Sequence, residues 1–227
     1  MWPSGQLVLP AIVALLAVGL GFQPPARGAV LRVALDGSED FTSVAAAALA
    51  AASGDSILVG PGRYDDATVQ VPPGVSLSII GTDDAASVVL AKGLYCRGSG
   101  DGYLVLETLT VDGGTYKLGL LSVILLDSIT LRDVICSGGS TSAGVGASDY
   151  VLIESCAFVN NNNTVGTNGG GLSVGSFEEA TIRGSFFLNN RTIAGSDPDS
   201  YGSGGGGLWL NVPVGGSASV SGCTFVG

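Results

Sequence analysis

The side chains with the most scope for chemistry lie near the C-terminal end of the chain. Trp209 stands between two leucines in the segment "LWL", and strand alternation predicts that its indole faces outward. The preceding segment "RTIAGSDPDSY" brings Asp197, Asp199 and Tyr201 close to it. An exposed indole offers an apolar plane to a sugar ring and an N–H group to a hydroxyl. We therefore predict that these four residues bind a carbohydrate ligand, unless the long segment folds over Trp209 and buries it.

The sequence gives weaker evidence for a metal site or for acid–base catalytic residues. Asp197 and Asp199 carry oxygens of the kind that Ca²⁺ prefers. Two carboxylates make an incomplete site, so we assign no metal and no cofactor and keep Ca²⁺ as an alternative. The chain has no histidine, which excludes a nucleophile–base pair built on imidazole. No catalytic residue is identified, and the sequence leaves open whether the protein is an enzyme.

Composition and charge narrow the class of protein. The chain of 227 residues has 37 glycines, 46% hydrophobic residues and only 12% charged residues, a composition that differs from that of disordered chains. Glycine adopts positive φ without steric cost, so this composition suits short strands joined by tight turns. The formal net charge of −10 argues against nucleic acid or an anionic membrane surface as a partner.

The N-terminal segment has the features of an export signal. Residues 7–20 are apolar and fall short of the ~20 residues that span a bilayer. Small residues follow, so we predict a signal peptide at residues 1–29, cleaved after Gly28 or Ala29. The leading "MWPSGQ" has no Lys or Arg, which leaves an uncleaved anchor as the alternative. Either form predicts a secreted or cell-surface protein, extracellular or periplasmic, with no other membrane contact.

A repeated segment organises the rest of the chain. It is six residues long: positions one and six are apolar, and position four is small or apolar. Copies begin at Leu106, Leu131, Ile153, Ile182 and Val220. Its third residues favour turns and a left-handed backbone; they are Thr108, Asp133, Ser155, Gly184 and Gly222. Each repeat is therefore predicted to form two strands joined by a one-residue bend. A further strand, with period-2 alternation, precedes each of these strand pairs. Three strands per turn predict an all-β fold, a parallel β-helix over residues 30–227.

Two other interpretations fit parts of this pattern less well. "IESCAFVNN" and "IRGSFFLNN" also match leucine-rich repeats, but those require regular spacing, whereas these repeats start 22 to 38 residues apart. Gly202, Gly204 and Gly207 satisfy the G-x-G-x-x-G pattern of a phosphate loop, but no helical pattern follows them. We interpret the glycine runs "NGGGLSV" and "SGGGGLWL" as corners of the coil.

The first part of the coil, residues 30–56, is predicted to be a cap. Thr42 or Ser43 can N-cap a short alanine-rich helix that runs to about Ala52. Such a helix over the open end of a solenoid covers apolar surface that would otherwise be exposed. The fold is therefore expected to be a β-helix with a short N-terminal capping helix.

Three of the four cysteines fall into predicted interior columns of the coil. Cys156 and Cys223 share a column with Ser185 between them, and Cys136 shares the column of two phenylalanines. Stacked columns of this kind are typical of a filled interior. A bridge between Cys156 and Cys223 would skip a turn, about twice the ~4.8 Å strand spacing, which exceeds the reach of a disulfide.

Two sets of motifs resemble known families. "DGSEDFTSVAAAL", "GDSILVGPGRYDD" and "LSIIGTDD", within residues 31–91, resemble the opening of pectinesterase-like and related pectin-lyase-like proteins. Later segments are similar to the F-x-x-N and G-G-[AG]-[ILV] repeats of polymorphic outer-membrane and adhesin-type proteins; they are Phe158 to Asn161, Phe187 to Asn190, residues 169–172 and residues 205–208. Both resemblances imply a right-handed β-helix.

The outer face of the first strands is where pectin-lyase-like enzymes carry their chemistry. Here the outward residues are predicted to be Ser122, Gly146, Ser173 and Trp209, and none is acidic. The catalytic segments of these enzymes have no matching positions. We therefore predict a secreted or cell-surface protein that binds polysaccharide or a cell-surface glycan with this face. One alternative is a non-catalytic adhesin or structural stalk.

The other alternative is a pectin-active esterase or lyase whose catalytic turns lie beyond residue 227. The chain ends just after "CTFV", where earlier repeats place an asparagine corner. An uncapped last turn would leave an open strand edge. The sequence is therefore expected to be a C-terminally truncated part of a longer β-helix.

Overall fold

The computed structural model describes residues 28–65, 68–113, 120–164, 169–175, 177–192 and 206–227. These residues form a right-handed parallel β-helix of about six turns with one short helix. The elements are β1 (Val30–Val33), α1 (Val44–Ala50), β2 (Asp55–Val59), β3 (Gly62–Tyr64), β4 (Val69–Val71), β5 (Leu77–Gly81), β6 (Val88–Leu90), β7 (Leu94–Arg97), β8 (Tyr103–Asp112), β9 (Leu121–Ser137), β10 (Ala143–Glu154), β11 (Ala157–Val159), β12 (Asn162–Asn163), β13 (Leu172–Gly175), β14 (Glu179–Arg183), β15 (Phe186–Leu188), β16 (Arg191–Thr192), β17 (Leu208–Asn211), β18 (Ser217–Ser221) and β19 (Thr224–Val226).

Parallel pairing between successive turns divides the coil into three faces. The first face contains β4, β7, the start of β9, the start of β10, β13 and β17. The second face runs from β1 and β2 through β5 to β14 and β18, and the third from β3 and β6 to β15 and β19. Three of the strands, β8, β9 and β10, continue around a corner from one face to the next.

The predicted repeat is confirmed by the register of the second face. Its first residues pair in one unbroken column: Leu106, Leu131, Ile153, Ile182 and Val220. The third residues all have positive φ, between 49° and 61°; they are Thr108, Asp133, Ser155, Gly184 and Gly222. A single left-handed residue therefore turns the chain from the second face to the third in each of these turns.

Aromatic stacking and asparagine side chains fill and close the C-terminal half of the coil. Phe187 stacks on Phe158 and Phe225, with ring centroids 5.0 and 4.6 Å apart. The buried Asn161 side chain donates to the carbonyl of Cys136 and accepts from the N–H of Gly139, both at 3.0 Å. These bonds satisfy backbone groups that the corner removes from the strand ladder.

The predicted short N-terminal helix is confirmed as α1. Ser43 is the N-cap residue, and its hydroxyl accepts a hydrogen bond from the N–H of Ala46 at 3.0 Å. The helix ends at Ala50, two residues before the predicted end, and its buried side packs against the first strands. Leu49 lies on the opposite side and is 66% exposed.

Gly146 lies on the outer side of β10 as predicted, but its alignment with the outward residues Ser122 and Ser173 is wrong. Gly144, and not Gly146, pairs with Ser122 and Ser173. A shift of two residues preserves strand alternation, so alternation alone does not choose between the two glycines. Strand pairing between turns makes this choice. The register shifts after Gly146, because Leu125 of β9, at φ 61°, pairs with no residue of β10.

All four cysteines are free, which agrees with the exclusion of a bridge between Cys156 and Cys223. Cys136 pairs with Phe158, and the N–H of Cys156 donates to the hydroxyl of Ser185 at 3.2 Å. Burial raises the pKa of the Cys96 thiol to about 11 and that of the Cys156 thiol to about 12. The thiolate is the reactive form of cysteine, so these thiols are protected near neutral pH.

Alkylation tests this protection. At pH 8, iodoacetamide is expected to modify Cys223, which is partly exposed, well before Cys96, Cys136 and Cys156, which are buried. Mass spectrometry of the labelled peptides measures the order, and labelling in denaturant should reach all four. Equal rates for Cys156 and Cys223 in the folded protein would contradict the burial of Cys156.

Candidate functional site

The outward residues of the first face form a column across six turns. The column, which we call the outer column, consists of Gln70, Tyr95, Ser122, Gly144, Ser173 and Trp209. Tyr95 and Trp209 are four strand steps apart, roughly 19 Å at the usual spacing. The positions between the two rings, which we call the track, hold the small residues Ser122, Gly144 and Ser173, and Ser173 is buried, at 9% exposed.

Trp209 lies on β17 as strand alternation predicted. Leu208 and Leu210 pack against the core, so Trp209 points to the outer side, where it is half-buried. A Cβ atom at Gly175 would lie 3.9 Å from Cζ3 of the indole. The ring therefore extends along the face beside Gly175, a position that has no side chain of its own to cover the flank of the indole.

Three of the predicted ligand-binding residues lie outside the described residues. Asp197, Asp199 and Tyr201 belong to this group, so their proximity to Trp209 and the alternative Ca²⁺ site stay predictions. The structure instead brings Tyr95 into line with Trp209, although the two residues are far apart in the sequence. Sequence reasoning missed Tyr95 because the repeat was recognised only from Leu106 onward. The alternating segment "LYCR" was the available signal.

The outer column and the outward column beside it lack carboxylates. The neighbouring column consists of Arg97, Ile124, Gly146, Gly175 and Asn211. Arg97 is therefore the one charged residue in the two columns. On a chain with a net charge of −10, the lack of acidic residues in these two columns reduces the local repulsion of anionic ligands.

Charges on the second face are arranged differently. Glu107, Arg132, Glu154 and Arg183 pair in one outward column, so that acid and base alternate from turn to turn. Glu154 contacts Arg183 at 2.7 Å and Arg132 at 3.4 Å. Sequence reasoning missed this column, although each charge directly follows the first residue of an aligned repeat. Exposed pairs of this kind contribute little stability individually, and they mark the second face as a charge-paired surface.

These arrangements suit binding better than acid–base chemistry. The outer column offers two rings for stacking, with the partly exposed hydroxyl of Ser122 between them, which can donate and accept hydrogen bonds. In the described ranges, no three His, Cys, Asp or Glu side chains come together as a metal site. Among the same residues, no helix is long and apolar enough to cross a bilayer.

Comparison of the chain with protein-family models, with curated proteins and with solved structures gives no match. The fold is therefore stated from the structure itself, as a right-handed parallel β-helix.

Proposed function

We propose that this is a secreted or cell-surface β-helix protein that binds a polysaccharide along the outer column. The observation that carries the proposal is the track of small residues between Tyr95 and Trp209. An extended glycan lying parallel to the coil axis reaches both rings at once. Stacking at two separated points gives more affinity than either ring alone, because the second contact is intramolecular.

The composition of the track supports a carbohydrate over a protein partner. Ser122 supplies a partly exposed hydroxyl for hydrogen bonds with sugar hydroxyls, whereas Ser173 is buried, at 9% exposed, and contributes only its small size. Gly144 between them leaves room for the chain of the ligand. A sugar ring combines an apolar side with polar edges, which matches aromatic rings alternating with hydroxyls. The resemblance of residues 31–91 to pectin-lyase-like proteins points to the same ligand class.

Replacing Trp209 by alanine is expected to weaken polysaccharide binding at least tenfold, because one of the two stacking rings is lost. Isothermal titration with the best ligand from a panel of neutral and acidic polysaccharides measures the effect. Tyr103→Ala is the matched control: Tyr103 is a 36% exposed aromatic on the second face, paired with Ser128, and its loss should leave binding unchanged.

A second variant tests the track itself. A Cβ atom at Gly144 would meet only the carbonyl oxygen of Leu121, at 3.8 Å, so Gly144→Leu fills the track without backbone strain. It should block binding while the melting temperature stays within a few degrees of the original. Full binding by both Gly144→Leu and Trp209→Ala would overturn the proposal.

A structural stalk is the second candidate function. It is favoured by the continuous stacking of Phe158, Phe187 and Phe225 and by the absence of carboxylates in the two outward columns of the first face. A solenoid extends by adding turns, each of which contacts only its neighbours. If no polysaccharide in the panel binds, the stalk becomes the preferred function.

A further inference from the structure

A depression of about 340 Å³ lies beside Tyr95, where the capping helix meets the first turns of the coil. Its walls include Leu49, Gln70, Pro72, Pro73, Tyr95 and Arg97. This volume lies within the range of small-molecule sites, which are mostly apolar with a few polar groups. The depression is separate from the Trp209 end of the outer column.

The walls of this depression are mainly apolar. Leu49 is 66% exposed, although the other side of α1 is buried in the core. Pro72 and Pro73 follow β4 and present rigid apolar rings, and Tyr95 adds an aromatic side. Covering a large exposed leucine beside such a surface with an apolar group removes apolar area from water and is therefore favourable.

Arg97 supplies the charge at this depression. It is exposed, and it has no carboxylate partner within 4.0 Å among the described residues. Among the described arginines, Arg63, Arg132 and Arg183 each contact an acidic side chain, whereas Arg32 and Arg191, like Arg97, do not. A guanidinium presents a planar fork of donors that fits a carboxylate, so an unpaired one beside an apolar wall is suited to an anion.

We propose that this depression binds a small amphipathic carboxylate, with its apolar body against Leu49, Pro72 and Pro73. The carboxylate accepts hydrogen bonds from the guanidinium of Arg97, and the Gln70 amide is a further donor at the rim. Charge-assisted, bidentate bonds of this kind are among the strongest that proteins make. Other cations of the described residues, such as Lys92, also lack an ion pair, so it is the apolar wall beside Arg97 that distinguishes this place for an amphipathic anion.

Octanoate is the probe that tests the site on the whole chain. Isothermal titration is expected to give octanoate at least tenfold tighter binding than octan-1-ol, which lacks the charge, and than acetate, which lacks the apolar body. Glucuronate, a carboxylate on a polar sugar ring, is expected to bind as weakly as acetate. Equal affinities for octanoate and octan-1-ol, or for octanoate and glucuronate, would overturn the proposal.

Matched variants assign the two parts of the site. Arg97→Gln should lower octanoate affinity about tenfold and leave octan-1-ol unchanged. Lys92→Gln is the control: it also removes one positive charge, at an exposed residue just before β7 that does not line the depression. This variant should change neither the octanoate affinity nor the octan-1-ol affinity. An equal loss in both variants would show a general charge effect and overturn the proposal.

Leu49 tests the apolar part, and Trp209 separates this site from the polysaccharide site. Leu49→Gln is expected to weaken the binding of octanoate and of octan-1-ol to the same extent. Because the Leu49 side chain is 66% exposed, the variant should keep the melting temperature of the original protein. Trp209→Ala should leave octanoate binding unchanged, so failure of polysaccharide binding does not affect this test. Unaltered octanoate binding by Leu49→Gln would refute the apolar contact.

Discussion

Replacing Phe187 by alanine is expected to lower the free energy of unfolding by about 3–5 kcal/mol, the usual range for a buried aromatic residue. Its ring is 1% exposed and stacks between Phe158 and Phe225. Alanine removes both contacts and leaves a cavity between neighbouring turns, which the parallel strands on either side prevent from collapsing. Urea denaturation followed by circular dichroism measures the loss.

Phe186→Ala is the control for this prediction. Phe186 precedes Phe187 on β15 but points outward and is 36% exposed, so its removal should cost about 1 kcal/mol or less. The two variants lose the same atoms from adjacent positions and differ only in the side of the strand. Similar losses in both would contradict the assignment of Phe187 to the interior.

Replacing Asn161 by alanine is expected to lower the free energy of unfolding by about 2–6 kcal/mol, because two buried backbone groups lose their partners and each unsatisfied group costs about 1–3 kcal/mol. The side chain is fully buried, and it satisfies the carbonyl of Cys136 and the N–H of Gly139. The same denaturation experiment provides the measurement.

Its neighbour provides a matched control. Asn162 lies on β12 and is exposed, and the backbone N–H that it gives to Gly139 is retained in Asn162→Ala. That variant should change stability by about 0.5 kcal/mol or less. If Asn161→Ala is as mild as Asn162→Ala, water replaces the side chain, and the corner does not depend on asparagine.

Much of the fold was predictable because its signals are local. The third residues of the repeat, such as Thr108 and Gly184, were expected to tolerate a left-handed backbone, and all five have positive φ. Ser43 was one of two expected N-cap residues and is the one observed. Such features depend on backbone sterics and on hydrogen bonds within a few residues, so a short stretch of sequence is enough to specify them.

The candidate site was predictable only in part. Trp209 was identified from alternation within a single strand, whereas Tyr95 lies in a turn where the repeat had not been recognised. Its alignment with Trp209 depends on four successive strand pairings. The role of both residues in binding a glycan stays a prediction until the titrations are made.

The sequence alone therefore determined the strands and corners from Leu106 onward, the short N-terminal helix, and the alternation of inner and outer residues in those strands. Only the tertiary structure decided the register between turns, as the choice of Gly144 over Gly146 shows. It also decided which distant residues meet, such as Leu49 and Arg97 at one depression. The physical reason is that alternation repeats every two residues and tolerates a shift by two, whereas hydrogen bonds and packing between turns favour one alignment of the whole coil.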